Sequence, residues 1–229
     1  MPSNKPTHIA IILDGNRRFA KRLMLEPWKG HEYGRDKVEK LISWCISEDI
    51  SQLTLYAFSL QNFNRPKKEF NYLMKIFIEA AEKLLVDKRV IKHRIKVTFL
   101  GRYHLLPLKV VESINKVMDK TKHNNGFKLN IALAYGGREE IIDAVKDIIN
   151  QKIPVSKISE EIFAKHLYMD SSPDLIVRTG GEKRTSNFLP WQSIYSEWFF
   201  LDKTWPEFEQ KDLKKILEEY SYRERRFGK

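Results

Sequence analysis

The chain has 229 residues, of which 42% are hydrophobic and 31% charged, a composition that suits one globular domain and excludes collagen-like, disulfide-rich and intrinsically disordered classes. Lysine and arginine outnumber aspartate and glutamate by 41 to 30, so the formal net charge is +11. This excess suits nucleic acid, anionic lipid or phosphate-bearing small molecules. Cys45 is the only cysteine, which excludes intramolecular disulfides and multi-thiolate metal sites.

The sequence contains no segment that predicts a membrane-spanning helix. Its first residues contain no apolar signal core, and no stretch approaches the roughly 18 apolar residues that span a bilayer. A single cysteine is also typical of a reducing compartment. We therefore expect a cytoplasmic protein with peripheral membrane contact.

Short β-rich runs alternate with longer amphipathic stretches, the pattern of a mainly parallel sheet covered by helices. We predict strands at 9–13, 53–58, 95–100, 129–134, 175–178 and 195–201. Helices are predicted at about 31–47, 67–86, 107–122, 138–150, 159–168 and 210–221. The fold class is therefore α/β, with a six-stranded, mostly parallel sheet in a single domain over 1–229.

Ligands of such sheets bind where the strands end. The first strand is followed by Asp14, Gly15, Asn16, Arg17 and Arg18. Glycine permits a tight turn, and the two guanidiniums can bond phosphate oxygens in pairs. A carboxylate among these cations suits a phosphate-bound Mg²⁺, although a capped turn with solvated arginines would use the same residues.

Two further strands end in similar chemistry. Ser59, Asn62 and Arg65 follow the second strand with hydroxyl, amide and guanidinium groups. Arg178 ends the fifth strand, and a buried arginine there needs either a bound anion or an internal salt bridge. The glycine pair, Arg184 and Ser186 after it form a candidate anion cradle.

Glu197 is a carboxylate inside an apolar run, so we expect it to meet a cation or a metal. Together these residues argue for one or two diphosphates held with a divalent metal. The chain contains no nucleotide-binding glycine motif of the P-loop or dinucleotide type.

Several of these segments resemble one known family, the cis-prenyltransferases or undecaprenyl diphosphate synthases. The similarity runs in order from residue 8 to residue 228. The segments that carry it are 8–18, Gly30-His31, 55–59 with 62–66, Tyr135-Gly136-Gly137-Arg138, 174–182 with 184–192, and 223–228.

The resemblance implies a homodimeric enzyme that condenses isopentenyl diphosphate onto an allylic diphosphate, makes each new double bond cis, and uses Mg²⁺. The product would be a (poly)cis-prenyl diphosphate for a lipid carrier, and the helix at 67–86 would help to wall an apolar tunnel for it. The ending Arg226-Phe227-Gly228 would reach the site of the partner subunit.

The resemblance also implies roles for individual residues. Asp14 would bind the metal and help the allylic diphosphate leave, Glu197 would complete the metal site, and Ser59 or Asn62 would assist proton removal. The implied allylic diphosphate site comprises Gly15, Asn16, Arg17, Arg18, His31 and Arg65. The implied isopentenyl diphosphate site comprises Arg178, Arg184 and Ser186, and Phe19, Phe63 and Thr185 are further expected substrate contacts.

Some positions depart from the family pattern. The usual Ser-(Ser/Thr)-Glu-Asn-Trp reads Ser59-Leu60-Gln61-Asn62-Phe63, and Pro27 replaces a common arginine. The segment 23–28 differs from the usual glycine-containing loop, and Lys183 replaces a frequent histidine. These differences bear on loop contacts and substrate preference.

Two other functions remain open from the residues alone. Leu13-Asp14-Gly15 resembles part of the Asp-x-Asp-Gly motif of haloacid-dehalogenase-like phosphatases, although Ile12 stands where their nucleophile would fall. The positive charge would also suit a non-catalytic module that binds nucleic acid or supports an active synthase. Of these partners we expect isoprenoid diphosphates and no nucleic acid.

Overall fold

The computed structural model describes residues 5–223. The strands are β1 His8–Ile12, β2 Gln52–Ser59, β3 Lys96–Leu100, β4 Lys128–Tyr135, β5 Leu175–Arg178 and β6 Glu197–Phe200. The α-helices are α1 Asn16–Arg22, α2 Gly30–Ser47, α3 Lys67–Val86, α4 Lys88–Lys92, α5 Leu108–Thr121, α6 Gly137–Asn150, α7 Glu160–Lys165 and α8 Gln210–Tyr222.

The six strands form one sheet in the order β3-β4-β2-β1-β5-β6, and every neighbouring pair is parallel. The predicted α/β class with a six-stranded sheet is confirmed. The short helices α1 and α4 were not predicted, because seven and five residues are too few to show an apolar periodicity. Each of the six predicted helices overlaps an observed one.

The sheet separates two apolar clusters because successive side chains of a strand point to opposite faces. Ile9 and Ile11 of β1 face the larger cluster, which α2, α3, α5 and α8 cover. Ala10 and Ile12 face the smaller cluster, which is closed by Tyr168, Met169, Phe188 and Leu189. Both faces are therefore buried, as parallel sheets require.

The strand order places the predicted site. β2, β1 and β5 are adjacent, so the segments that follow Ser59, Ile12 and Arg178 leave the same edge of the sheet side by side. We call this the carboxyl edge. Within residues 5–223, no helix combines the length and apolar character needed to cross a membrane.

Candidate active site

A cavity of about 1000 Å³ opens at the carboxyl edge. It extends between α2, α3 and the face of the sheet that carries the larger apolar cluster. Its mouth is polar and cationic, whereas its interior is apolar. The predicted site residues that line it are Asp14, Gly15, Asn16, Arg17, Arg18, His31, Ser59, Asn62, Arg65, Arg178, Arg184 and Ser186. The fold thus brings together most of the residues that the sequence motifs indicated.

An ion pair between neighbouring strand ends lies at the mouth. Arg178 is 4% exposed, and its Nη2 donates to Oδ2 of Asp14 at 2.9 Å. The other carboxylate oxygen of Asp14 accepts the Gly15 amide at 2.6 Å and Nη2 of Arg18 at 3.2 Å. The internal salt bridge considered for Arg178 therefore exists, and its acidic partner is the predicted metal ligand.

Arg178 also holds the loop that follows β5. Its Nη1 donates to the carbonyl oxygen of Arg184 at 2.5 Å and to Oγ of Ser186 at 2.7 Å. Ser186 and Asn187 have φ values of 51° and 63°, a left-handed conformation that non-glycine residues adopt at a cost. Polar contacts from Arg178 stabilise this loop in a shape that local preference disfavours.

Asn187 anchors the same loop from its other side. Its Oδ1 accepts the Arg138 amide at 2.9 Å, its carbonyl oxygen accepts the Gly137 amide at 2.8 Å, and its Nδ2 donates to Glu139 at 3.0 Å. The 135–138 motif that the resemblance included therefore supports the anion cradle. Asn187 itself lines the cavity and was not among the predicted site residues.

A second charged cluster lies opposite, where α3 begins. Glu69 is 2% exposed and pairs with Nη1 of Arg65, and its Oε2 lies 3.7 Å from Nε of Arg17. Nε2 of His31 lies 3.3 Å from Glu69 Oε1 and 3.2 Å from Arg65 Nη1. One buried carboxylate thus aligns three of the predicted diphosphate-binding side chains.

The protonation states follow from these surroundings. Burial lowers the pKa of His31, so its ring is neutral near pH 7 and Nε2 donates to Glu69 or accepts from Arg65 according to its tautomer. The hydrogen-bonding contact with His31 and the charge of Arg65 lower the pKa of Glu69 to about 2. Glu69 therefore stays ionised and acts as the counterion of the cluster.

Glu69 is a site residue that sequence reasoning missed. A glutamate in the first turn of a helix is ordinary because it complements the helix dipole, so its type and position carry no distinctive signal. Its position four residues after Arg65 was the available indication, since a carboxylate that close in sequence to a cation can pair with it.

Ser59 and Asn62 form a turn at the end of β2. The Ser59 amide donates to Oδ1 of Asn62 at 3.0 Å, and the pair makes a capping box for the 3₁₀ helix Leu60–Asn64. Both residues line the cavity. Their mutual bonding gives them fixed positions beside the mouth.

Some predicted contacts lie elsewhere in the described part of the chain. Phe63 packs against Phe58 at a ring-centroid distance of 5.4 Å, Phe19 packs against Tyr33 at 5.2 Å, and Thr185 is exposed. None of these three predicted residues is among the cavity-lining residues. The predicted 226–228 contact lies outside the described residues.

Within one chain, Glu197 does not lie near Asp14. It begins β6 and pairs in register with Leu175, which pairs with Ile9, so it lies at the amino edge of the sheet. Its register position, opposite Ile9, is roughly 10 Å along the strand direction from Ile12, the last residue of β1. Its Oε2 accepts a hydrogen bond from Arg223 at 2.6 Å. The expectation of a cation is met by this arginine, and its metal role stays a prediction.

The donors present suit a metal that is held jointly with a substrate. Within residues 5–223, no group of three or more histidine, cysteine or acidic side chains could bind a metal alone. Asp14 lies at the mouth, with Glu182 as a further carboxylate, among cations that attract phosphate. Mg²⁺ commonly binds in this way, through one or two carboxylates together with substrate phosphates.

The cavity interior is lined by side chains of α2, α3 and the sheet, among them Val38, Leu55, Leu73, Phe77 and Leu84. The apolar face predicted for the helix 67–86 thus contributes to the core and to this wall. At the far end the lining becomes charged, where Glu39 pairs with Lys83 and lies 3.3 Å from Arg89, which also pairs with Asp87.

Known proteins are similar to this chain over nearly its whole length. The family model described as undecaprenyl diphosphate synthase matches residues 12–228. The chain is 47% identical over 230 residues to a geranylgeranyl-diphosphate-specific tritrans,polycis-undecaprenyl-diphosphate synthase from Pyrococcus furiosus, covering 98% of this chain and 87% of that protein. It is 43% identical over 234 residues to an isoprenyl transferase from Thermus thermophilus, covering 98% and 89%.

Solved structures show the same fold. Lavandulyl diphosphate synthase from Lavandula x intermedia, in complex with dimethylallyl diphosphate, matches with a TM-score of 0.91 and 33% identity over 99% of both chains. A probable undecaprenyl diphosphate synthase from Campylobacter jejuni matches with a TM-score of 0.83 and 34% identity, covering 98% of this chain and 99% of that one.

The Glu69 cluster leads to a stability prediction. Glu69→Ala leaves Arg65 and Arg17 without their counterion, and should lower the free energy of unfolding by about 3 kcal/mol, as expected for one partner removed from a buried pair. Urea denaturation followed by circular dichroism measures this change. Glu161→Ala is the matched control, because its pair with Lys165 has the same four-residue separation but is exposed to solvent. Equal losses in both variants would contradict the role of Glu69.

Proposed function

Since the chain belongs to the undecaprenyl diphosphate synthase family and is a chain-elongating prenyltransferase, we propose that its carboxyl-edge site condenses isopentenyl diphosphate with an allylic diphosphate into a (poly)cis-prenyl diphosphate for a lipid carrier. The observation that carries this proposal is the Asp14–Arg178 pair at the mouth of a deep apolar cavity. The alternatives of a phosphatase and of a non-catalytic basic module gain no support from the comparisons.

In this proposal the cluster around Glu69 holds the allylic diphosphate. Arg17, Arg18, His31 and Arg65 line one side of the mouth and offer donors that are already oriented by Glu69 and Asp14. Bond cleavage between allylic carbon and oxygen transfers negative charge to the leaving diphosphate. Fixed guanidiniums stabilise that charge with little reorganisation.

The second diphosphate belongs on the other side of the mouth. Arg178, Ser186 and Arg184 follow β5, and the loop that carries the last two is held in place by Arg178 and Asn187. Isopentenyl diphosphate bound there would place its double bond near the allylic carbon. The new carbon–carbon bond forms at the terminal alkene carbon of isopentenyl diphosphate as the allylic carbon–oxygen bond breaks and diphosphate leaves. Positive charge develops on the branched carbon, and a proton then leaves the methylene group between that carbon and the diphosphate-bearing carbon, which gives the new allylic double bond.

Asp14 is the proposed protein ligand for Mg²⁺, which when bound supplies positive charge against the leaving diphosphate. Asp14 also receives hydrogen bonds from the Gly15 amide and Arg178, so its carboxylate has a defined orientation. Asn62 and Ser59 are proposed to assist proton removal, because their side chains line the same mouth in fixed positions. The growing apolar chain extends into the cavity between α2 and α3.

Asp14→Asn should reduce turnover roughly a hundredfold or more, because the side chain loses the charge needed to hold the metal while keeping its shape. Incorporation of labelled isopentenyl diphosphate with saturating magnesium measures this, and chelation should remove the wild-type activity. Asp36→Asn, at an exposed position in α2, is the control and should retain turnover. Normal turnover in Asp14→Asn would exclude the metal role.

We further propose geranylgeranyl diphosphate as the preferred primer. Relatives from Pyrococcus furiosus, Methanopyrus kandleri and Thermoplasma acidophilum that are 47%, 45% and 44% identical to this chain carry that specificity in their names. Among dimethylallyl, farnesyl and geranylgeranyl diphosphates, the last should give the highest kcat/KM. Mass analysis of the products from each primer checks this, and preference for a shorter primer would contradict it.

The proposed active form is a homodimer. Apolar side chains of α6 are exposed at Ile142, Val145 and Ile149, and Ile194 and Tyr195 are exposed before the edge strand β6. Such surface apolar groups favour association. Sedimentation velocity should show a dimer that Ile149→Glu weakens, whereas Val86→Glu, at an exposed end of α3, leaves it intact. A wild-type monomer at micromolar concentration would contradict the proposal.

A cytoplasmic location with peripheral membrane contact is part of the same proposal. It is supported by the excess of basic residues and by the apolar product expected from the cavity.

A further inference from the structure

The connection between α1 and α2 presents apolar side chains to solvent in an unusual backbone setting. α1 ends in a Schellman turn, in which the Met24 amide donates to the Lys21 carbonyl at 3.0 Å and the Leu25 amide to the Ala20 carbonyl at 2.9 Å. Met24 occupies the left-handed position of this turn, with φ 56°. Glycine is favoured at such a position, so neither burial nor backbone preference accounts for a methionine there.

The residues around this turn form an exposed apolar tip. Met24 is 95% exposed, Leu23 48% and Leu25 37%, and Trp28 follows in a half-buried position. We refer to residues 23–28 as the mouth loop. It continues directly from α1, whose residues Arg17, Arg18 and Lys21 line the mouth of the cavity. The apolar tip therefore lies beside the opening through which an apolar chain would pass.

The surroundings of the mouth loop are strongly basic. Residues 17–29 contain five basic side chains and one acidic one, Glu26, which gives this segment a net charge of +4. Lys68 adds a further cation, with Nζ 4.6 Å from the centre of the Trp28 ring. Partial compensation comes from Glu207, which pairs with Arg22 at 2.7 Å, and from Glu32, 3.7 Å from Lys29. Arg17 and Arg18 are likewise paired at the mouth, with Glu69 and Asp14, whereas Lys21 and Lys68 are exposed on this surface.

Exposed apolar side chains with lysine and arginine around them are typical of a protein surface that binds the headgroup region of an anionic bilayer. Tryptophan beside them is typical of the boundary between water and lipid. A second copy that docked through the same segment would bring another net charge of +4 to the contact, so self-association through the mouth loop is disfavoured.

We propose that the mouth loop docks the enzyme on anionic membranes, with Leu23 and Met24 entering the headgroup region and the neighbouring lysines and arginines binding lipid phosphates. The proposal rests on the proposed function in one respect: the enzyme benefits from membrane contact at the cavity mouth because its product is apolar. Contact through this loop would place at the bilayer the opening through which the finished product leaves the cavity.

Co-sedimentation of the full chain with vesicles tests the docking without substrates. Wild-type protein should bind phosphatidylglycerol vesicles, bind phosphatidylcholine vesicles weakly, and lose binding as salt rises. Leu23→Ser combined with Met24→Gly should weaken binding to phosphatidylglycerol roughly tenfold, since two exposed apolar side chains are removed. Glycine suits the left-handed position, so this variant retains the turn and its thermal unfolding should remain near that of wild type.

Ile91→Ser is the matched control, because Ile91 is 70% exposed on α4 at the opposite edge of the sheet. It should bind vesicles as wild type does. Equal binding by the double variant and wild type, or no wild-type binding to phosphatidylglycerol, would overturn the proposal. Turnover with detergent-dispersed substrates should be unchanged in the double variant, and inactivity of wild type in that assay would count against the proposed function alone.

Discussion

The pairing of Arg178 with Asp14 is the interaction on which the site depends. A guanidinium that is 4% exposed at the end of a buried strand is costly unless anionic and hydrogen-bonding partners surround it. Asp14 meets this need from the adjacent strand, while the loop after β5 supplies a carbonyl oxygen and the Ser186 hydroxyl. The same bonds that stabilise Arg178 therefore orient the candidate metal ligand and shape the loop beside it.

The opposite side of the mouth follows a similar rule. Glu69 is buried and ionised, and it keeps Arg65, Arg17 and His31 close together. A diphosphate that enters this cluster meets donors whose positions are already determined, which reduces the reorganisation needed at binding. The apolar cavity behind the mouth then separates the charged chemistry from the space for hydrocarbon.

Most of the fold and much of the site could be predicted from the sequence because their signals are local. Strand and helix periodicities identified the α/β class, and polar segments after β1, β2 and β5 identified the carboxyl edge. Those segments meet because the three strands are adjacent. Helices α1 and α4 were missed because such short helices show no apolar repeat. Glu69 was missed because a glutamate near a helix start is ordinary.

The sequence by itself determined the sheet, the cationic strand ends and the family resemblance, since each depends on residue type and short spacing. Only the tertiary structure decided which carboxylate neutralises which cation, because the partners can be far apart in sequence: Asp14 and Arg178 are separated by 164 residues. It also placed Glu197 at the amino edge, since the start of β6 is set by its register with β5 and not by the motif that contains it.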